Sequence, residues 1–467
     1  MHPQGERLGR RSFIAVLSPF LNNMEHTIAA ISTAYGEAGI GVVRLSGEDA
    51  LAIAKKLTGR NEFKDRYMHH CFIGDSDEAL VCYMKAPHSY TGEDVVEIQC
   101  HGSSASLSDI LAKLYDLGAA PAEPGEFTKR AFLNGRLDLS RAEAVIDLIK
   151  AKTKRSLGSA AAQLRGGLSD KVSSIRKSLK DLLVELTVNM DYPDEDIEEI
   201  TYQKLKDSLS AIDDELLKLL SSAEEGRILR DGLQVAIIGK PNVGKSSLMN
   251  IFMGEERSIV TNIPGTTRDT VEENAQIRGI PVRLVDTAGI RESDDTVERI
   301  GIERSRRAFS EADLVLLILD SSRPLSDEDK ELLKASEGSD ALVILNKSDL
   351  KPEFKKEDLK TGLKVIETSA LSGAGLDEIR DEIERRAVGG SAESRETPLL
   401  SNLRHIRLVK NAEREIAEAL EMTGRKEAMD FIEVNCNAAF EALGEITGDA
   451  VSGEIVDEIF ARFCLGK

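Results

Sequence analysis

No apolar run in the chain approaches the ~20 residues needed for a membrane-spanning helix, and no membrane partner is expected. The cysteines are few. Cys71, Cys82, Cys100, Cys436 and Cys464 include no C-x-x-C pair, which argues against zinc-site spacing and a disulfide ladder. That usage suits a reducing compartment, so a cytoplasmic location is expected. Positive charge is in deficit: 61 Lys and Arg stand against 81 Asp and Glu, a formal net charge of −20. Such an excess argues against non-specific nucleic-acid binding over the whole surface, but leaves room for a local basic patch. A secretory signal is also wanting. Arg10-Arg11-Ser12 opens a faint twin-arginine pattern, but Pro19 interrupts its short apolar part and no A-x-A site follows. Residues 1–23 are read as a disordered extension or a misplaced start, with Met24 opening a better-patterned segment.

What is present is organised around Gly239-Lys240-Pro241-Asn242-Val243-Gly244-Lys245-Ser246, which fits the phosphate-binding pattern G-x-x-x-x-G-K-[ST]. The β-branched run Leu233 to Ile238 before it reads as a buried strand, and Ser247 to Phe252 behind it as a helix. The glycines let successive N–H groups of Asn242, Val243, Gly244, Lys245, Ser246 and Ser247 face a polyphosphate. The helix N-terminus adds favourable partial charge. Lys245 is expected to reach the β- and γ-phosphates, and the Ser246 hydroxyl to ligate Mg2+.

Four further motifs follow in the order a GTPase needs. Thr266-Thr267-Arg268-Asp269, after Gly265, offers a threonine, Thr267, to Mg2+ from the γ-phosphate side. The strand Val282 to Val285 ends in Asp286-Thr287-Ala288-Gly289, a D-x-x-G that puts a carboxylate near the metal and an N–H near the γ-phosphate. Asn346-Lys347-Ser348-Asp349 is N-K-x-D. Its Asp349 accepts from guanine N1–H and the N2 amine, whereas adenine would leave it unpaired. Ser369-Ala370-Leu371 follows the strand at Lys364 to Glu367 and supports the base through backbone N–H. Each motif sits at a strand's C-terminal end, where ligands bind in α/β sheets.

The 467 residues suffice for about two to four domains. From Thr27 the pattern alternates as strands with two helices, at Glu48 to Leu57 and Ala105 to Leu117, giving an α+β domain over residues 24–140. Residues 141–232 read as helical, with a break at Asp191-Tyr192-Pro193-Asp194. The GTPase block occupies 233–388, and its βα alternation implies a doubly wound sheet. After the linker Gly389-Gly390-Ser391-Ala392, helices return over 389–467. Helices on both sides of the block suggest one bundle interrupted by an inserted GTPase; two separate helical domains are the alternative.

Outside the block, the chain carries Ser89-Tyr90-Thr91-Gly92-Glu93-Asp94, His101-Gly102, Pro124-Gly125-Glu126-Phe127-Thr128-Lys129-Arg130-Ala131-Phe132, Leu137-Asp138-Leu139 and Cys464-Leu465-Gly466-Lys467. With these the sequence closely resembles the MnmE (TrmE) family of tRNA-modification GTPases, within the TrmE-Era-EngA-like GTPases. The resemblance runs from about Met24 to the last residue. It implies a multidomain α/β protein: an N-terminal folate-binding and dimerisation domain, an all-α domain, and an inserted Ras-like P-loop GTPase domain. It implies a homodimer that forms a heterotetramer with the FAD-containing protein MnmG. Together they would place an aminomethyl or carboxymethylaminomethyl group on C5 of the wobble uridine, position 34, of certain tRNAs. A tetrahydrofolate derivative such as 5-formyltetrahydrofolate supplies a one-carbon unit, and by position Arg44, Glu97, Arg136 and Lys467 would contact it.

The resemblance also supplies catalytic candidates. Ile290 stands where Ras-like enzymes carry a glutamine after D-x-x-G. The family instead uses K+, bound by Asn242 and the loop Thr261-Asn262-Ile263-Pro264-Gly265-Thr266-Thr267, with Thr261, Ile263 and Thr266 as ligands. The ion takes the part of an arginine finger when two G domains meet. Glu298 would orient the attacking water, and Arg268 joins Asn242 and Glu298 as a catalytic candidate. Two other classes stay open on the residues alone: a GTP-driven switch or ribosome-assembly factor that merely binds RNA, and a folate-dependent aminomethyltransferase.

Overall fold

The computed structural model describes residues 26–75, 77–191, 201–254, 272–286, 312–388 and 399–467. It divides into two compact units. One comprises Met1–Ile149, Gln163–Leu216 and Leu408–Lys467; the other comprises Lys150–Ala162 and Leu217–Arg407.

The first unit is built on a sheet of β1 (Ile28–Ile31), β2 (Ala38–Ser46), β3 (Met68–Ile73), β4 (Asp77–Met84), β5 (Val95–Gly102) and β6 (Ala120–Pro121), in the order β3-β4-β5-β2-β1-β6. All neighbours are antiparallel except β1 and β6. Inward residues alternate along β3 and β4, as a sheet with one packed face requires. The helices Ala50–Thr58 and Ser104–Asp116 supply the packed side: Ile53, Leu107, Ile110 and Leu114 meet Val43, Leu45, Val81, Val96 and Ile98 in one core. On the other side of β1, Ile28 and Ala30 pack with Ala122 and Phe127. Phe127 lies on the helix Glu126–Leu133, whose Phe132 joins Val456, Phe460 and Phe463 from residues more than 320 positions later. β3 is a strand the sequence reading passed over, because M-H-H-C-F-I exposes Met68, His70 and Phe72 and buries His69, Cys71 and Ile73. That mixture hides the polar–apolar alternation.

Within residues 139–231 the helices are Leu139–Lys150, Lys154–Leu164, Gly167–Asp191, Tyr202–Leu220 and Ala223–Asp231. The leucine and isoleucine stripes read at helical spacing are buried, including Ile175, Leu179, Leu182, Leu186, Leu205, Leu209 and Leu216. Of the expected break only Asp191 lies among the described residues. The later helices are Leu403–Arg425, Met429–Thr447 and Gly453–Ala461.

The second unit holds the other sheet: β7 (Leu233–Ile238), β8 (Glu272–Ile277), β9 (Ile280–Asp286), β10 (Leu314–Asp320), β11 (Ala341–Asn346) and β12 (Lys364–Glu367). The order is β12-β11-β10-β7-β9-β8, parallel throughout except that β8 runs antiparallel to β9. β10 and β11 are buried at every residue because both faces are covered, hence their unbroken apolar sequences. On one face lie Leu248 and Phe252 of the helix Lys245–Gly254 and Ile379 and Ile383 of the helix Leu376–Ala387. On the other lie Leu333 of the helix Asp327–Ser336, Phe354 and Leu359. The sheet is therefore wound on both sides, as the βα alternation predicts. β8 was not read from sequence: E-E-N-A-Q-I carries little apolar signal, and as an edge strand it needs little.

Candidate functional site

The strand order fixes where the motifs meet. β7 lies between β9 and β10, so the C-terminal ends of the parallel strands β7, β9, β10, β11 and β12 lie at one edge of the sheet. At the first of these lies the P-loop. Gly244 has φ +108°, and a Cβ there would overlap the Asn346 amide. Asn242 takes the left-handed conformation at φ +66°, and its side chain is exposed. The helix Lys245–Gly254 starts at once, leaving Ser246 and Ser247 exposed in its first turn. The Lys245 side chain is buried within the loop, its Nζ donating to Gly239 O (2.6 Å) and Lys240 O (2.8 Å). Its positive end thus sits where loop N–H groups and the helix dipole already favour an anion.

Asn346 joins the pieces. Its Nδ2 donates to Val243 O (2.8 Å) in the P-loop, and its Oδ1 accepts from Ala370 N (3.1 Å) in the Ser-Ala-Leu segment. One buried amide thus ties three motifs together. Lys347, with φ +66°, donates from Nζ to Asn242 O (3.0 Å) and to Asp320 Oδ2 (2.6 Å). Asp349 is held by the hydroxyl of buried Ser369, which donates to its Oδ1 (2.5 Å). The Ser369 Oγ also accepts from Ser372 N (3.2 Å), which orients the hydroxyl towards the carboxylate. Leu371 is left largely exposed beside it. Lys240, at the second P-loop position, reaches Ser326 Oγ and Asp329, the two members of the capping box that starts the helix Asp327–Ser336.

Asp320 is a member of this site that sequence reasoning missed. It ends β10 beside Asn346 in register. Burial alone would raise its carboxyl, but hydrogen bonds from Lys347 and from the Ser322 side chain and backbone outweigh that and hold it below its usual range. The signal available was an apolar run ending in Asp, the same pattern that ends β9 at Asp286. Asp286 is placed by its backbone opposite Ile237. Thr261, Asn262, Ile263, Pro264, Gly265, Thr266, Thr267, Arg268, Thr287, Ala288, Gly289 and Glu298 lie outside the described residues. Among the described residues no cluster of three His, Cys, Asp or Glu is arranged to hold a metal. The described part of the site brings a P-loop and the Asp349 carboxylate to one edge of the sheet, an arrangement that suits a nucleotide.

In the first unit Arg44 and Glu97 are register partners on β2 and β5. Arg44 Nε and Nη2 both meet Glu97 Oε1 (2.9 and 2.8 Å). The guanidinium lies 5.2 Å from the Tyr90 ring and 5.5 Å from the Phe127 ring, and its buried Nη1 has no hydrogen-bond partner among the described residues. A buried cation with an unused donor, flanked by aromatic rings, fits an anionic or acceptor-bearing aromatic ligand, and a folate is one. Residues 464–467 complete the surroundings. Phe127 N donates to Lys467 O (3.1 Å), and Ser32 Oγ donates to Gly466 O (2.9 Å). Gly466 has φ +82°, and a Cβ there would overlap the Ile31 carbonyl. Burial and then the Arg44 charge lower the Lys467 amine against the opposing pull of Glu97 and Cys464. Arg136 is exposed, and its Nε donates to Ser89 O (3.4 Å).

The motifs around this site have structural work of their own. Arg130 is 1% exposed and pairs with Glu93 (3.1 Å) and Glu126 (2.7 Å), while its Nη2 also donates to His26 O (3.0 Å). Glu93 in turn accepts from Ser46 Oγ (2.7 Å). A buried guanidinium with two carboxylates is costly to break, so Glu93 and Arg130 hold β1, β2 and the helix Glu126–Leu133 in place. Asp77 bonds His101 Nδ1 (2.6 Å) and accepts from Ser106 Oγ (2.8 Å); the hydrogen bond to Asp77 raises the pKa of exposed His101.

The family model for the GTP-binding protein TrmE N-terminus matches residues 27–136, and that for the MnmE helical domain matches residues 139–464. The tRNA modification GTPase MnmE of Clostridioides difficile (strain 630) is 46% identical over 457 residues, covering 95% of this chain and 100% of that protein. The protein of the same name from Bacillus subtilis (strain 168) is 46% identical over 457 residues, covering 94% and 100%. Among solved structures, the G domain of the T. maritima FeoB iron transporter is similar at 29% identity, with a TM-score of 0.26, over 33% of this chain and 98% of that one.

Proposed function

As the chain belongs to the MnmE family of tRNA modification GTPases and is itself a GTP hydrolase of tRNA modification, we propose that it acts with the FAD protein MnmG on the wobble uridine of certain tRNAs. The product carries an aminomethyl or carboxymethylaminomethyl group at C5 of uridine 34. The protein is a homodimer through its folate-binding domain (24–140). Its helical domain (141–232 and 389–467) is interrupted by the G domain (233–388), and it works in the cytoplasm.

The observation that carries the nucleotide half of this reading is the single side chain of Asn346, bonded to both the P-loop and the base-binding segment. It makes phosphate binding and guanine selection parts of one rigid assembly. Asn242 to Ser247 and Lys245 take the phosphates. Asp349, oriented by Ser369, accepts from guanine N1–H and N2. When bound, Mg2+ on Ser246 and Thr267 and K+ on Asn242, Thr261, Ile263 and Thr266 would supply charge neutralisation along the phosphates. Glu298 orients water through a bridging water, since direct contact with phosphate would be repulsive. Arg268 is assigned to the same catalytic segment. In the other unit, Arg44, Glu97, Arg136 and Lys467 would hold a tetrahydrofolate derivative, with Arg44 Nη1 the donor that is ready to be used.

Hydrolysis rates in K+ and Na+ at matched ionic strength test the cation reading: K+ should be far superior, and Asn242→Ala should abolish the difference while sparing GTP binding. Equal rates would defeat it. Glu298→Ala should slow single-turnover hydrolysis by about 10²-fold with G-domain pairing intact. A rate within about threefold of wild type would remove the residue from catalysis, the gap from the scale of a positioned acid–base group being too large. Nucleoside analysis of tRNA from cells lacking the protein should show unmodified uridine 34.

A further inference from the structure

Within the second unit a small cleft opens away from the nucleotide motifs. Lys150, Lys152, Arg230 and Arg283 line it against one carboxylate, Asp231. Among the described residues, four cations to one anion is a local reversal of charge in a chain with a net charge of −20. The groups are held by regular structure. Arg283 on β9 and Asn274 on the edge strand β8 are register partners, so their side chains share one face of the sheet. Lys152, in the turn between Lys150 and Lys154, reaches that face and donates from Nζ to Asn274 Oδ1 (2.7 Å). Arg230 stands in the last turn of the helix Ala223–Asp231. The turn bearing Lys152 is anchored by Ser156, whose Oγ donates to Leu229 O (2.6 Å) and whose N donates to Thr153 Oγ1 (3.1 Å). Partial burial and then the Arg283 charge lower the Lys152 amine, as expected of a half-buried cation beside another.

We propose that this cleft is a phosphate subsite for the backbone of the tRNA, with Lys152 and Arg283 as its principal cations. The inference rests on the tRNA reading above. Size selects phosphate over base. The cavity volume of ≈ 30 Å³ holds about two waters at ~10–15 Å³ each, the room taken by two non-bridging phosphate oxygens and too little for a nucleobase. Charge selects an anion. Among the described residues no stacking ring lines the cleft, so the contact positions the RNA without reading its sequence. The subsite would account for RNA binding by so acidic a protein, since affinity needs only a few well-placed cations.

The test is tRNA binding by the full chain, measured by fluorescence anisotropy over a KCl series. The Lys152→Gln, Arg283→Gln double variant should weaken binding about five- to tenfold near 0.1 M salt, equally for different tRNAs. The slope of log Kd against log salt should fall by about one to two, the scale of one or two lost phosphate contacts. Lys152→Arg should bind as wild type does, and tRNA-free GTP turnover should be unchanged in all variants, which controls for folding. Unchanged affinity and slope in the double variant, with wild type binding tRNA, would overturn the subsite and leave the tRNA reading standing. A wild-type chain that binds no tRNA would remove both. Loss of the FAD partner with tRNA affinity intact would overturn the proposal in favour of a protein-docking surface.

Discussion

In the nucleotide site each contributing segment follows the strand that positions it within a few residues: Lys245 after β7, Asn346 and Asp349 at β11, Ser369 after β12. The Arg44 site is assembled differently. Its residues come from β2, β5, the helix Glu126–Leu133 and the stretch 464–467, and no local spacing relates them. The first site is a string of short motifs on a sheet whose order is set by parallel pairing. The second exists only through long-range packing. Sites of the first kind fail by losing one contact, and sites of the second by losing a distant support.

The largest effect is expected where one side chain serves several segments. Asn346→Ala would leave Val243 O and Ala370 N without their partner, at about 1–3 kcal/mol each. GTP affinity, measured by isothermal titration, should fall by about 10² to 10³-fold while ligand binding at Arg44 is unaffected. Next is Gly466→Val, which meets the Ile31 carbonyl and a left-handed backbone. Strain of about 1–3 kcal/mol should dislodge residues 464–467 and lower tetrahydrofolate affinity about tenfold or more, with GTP affinity unchanged. If both ligands weakened together, the two sites would not be independent and the contrast would fail. Asp349→Asn is narrower still: preference should pass from GTP to XTP by about 10- to 100-fold, because the amide donates where the carboxylate accepted. Unchanged GTP affinity would remove Asp349 from the base site.

The smallest effect concerns support beneath the nucleotide site. Glu382 lies on the helix Leu376–Ala387. Hydrogen bonds from Arg385, against burial, and then Lys364 and Arg386 hold its carboxyl at about 2, below its ordinary 4.5. A depressed folded pKa means the contribution is complete above about 4.5 and is lost as pH falls through about 2. Glu382→Gln should therefore flatten the acid limb of stability between those values, followed by circular dichroism. An unaltered acid limb would show that the network is inert.

The same contrast explains what was legible in the sequence. The P-loop, N-K-x-D and Ser-Ala-Leu could be read because their function lies in consecutive backbone groups and fixed offsets. The strands β10 and β11 could be read because burial on both faces leaves continuous apolar runs. Asp320 could not, since its partner Lys347 comes from the next strand and only the parallel register brings them together. Glu93 and Arg130 were visible as parts of family motifs, yet nothing local says that they meet in the interior. β3 and β8 were missed because edge strands need less apolar sequence than central ones. Arg44 and Glu97 came from resemblance alone; periodicity marks strand positions but not that an arginine on one strand faces a glutamate on the next.

The lodging of residues 464–467 against β1 also sets a timetable. Ser32 and Gly466, joined by a hydrogen bond, are separated by 434 positions. At roughly 5–20 residues per second of synthesis, β1 waits about 20–90 s for its last neighbour to emerge from the ribosome. Until then Arg44 lacks the Lys467 beside it, so a nascent chain cannot offer a finished ligand site. A message truncated by a few codons would yield a protein with an intact GTP site and an unfinished second one.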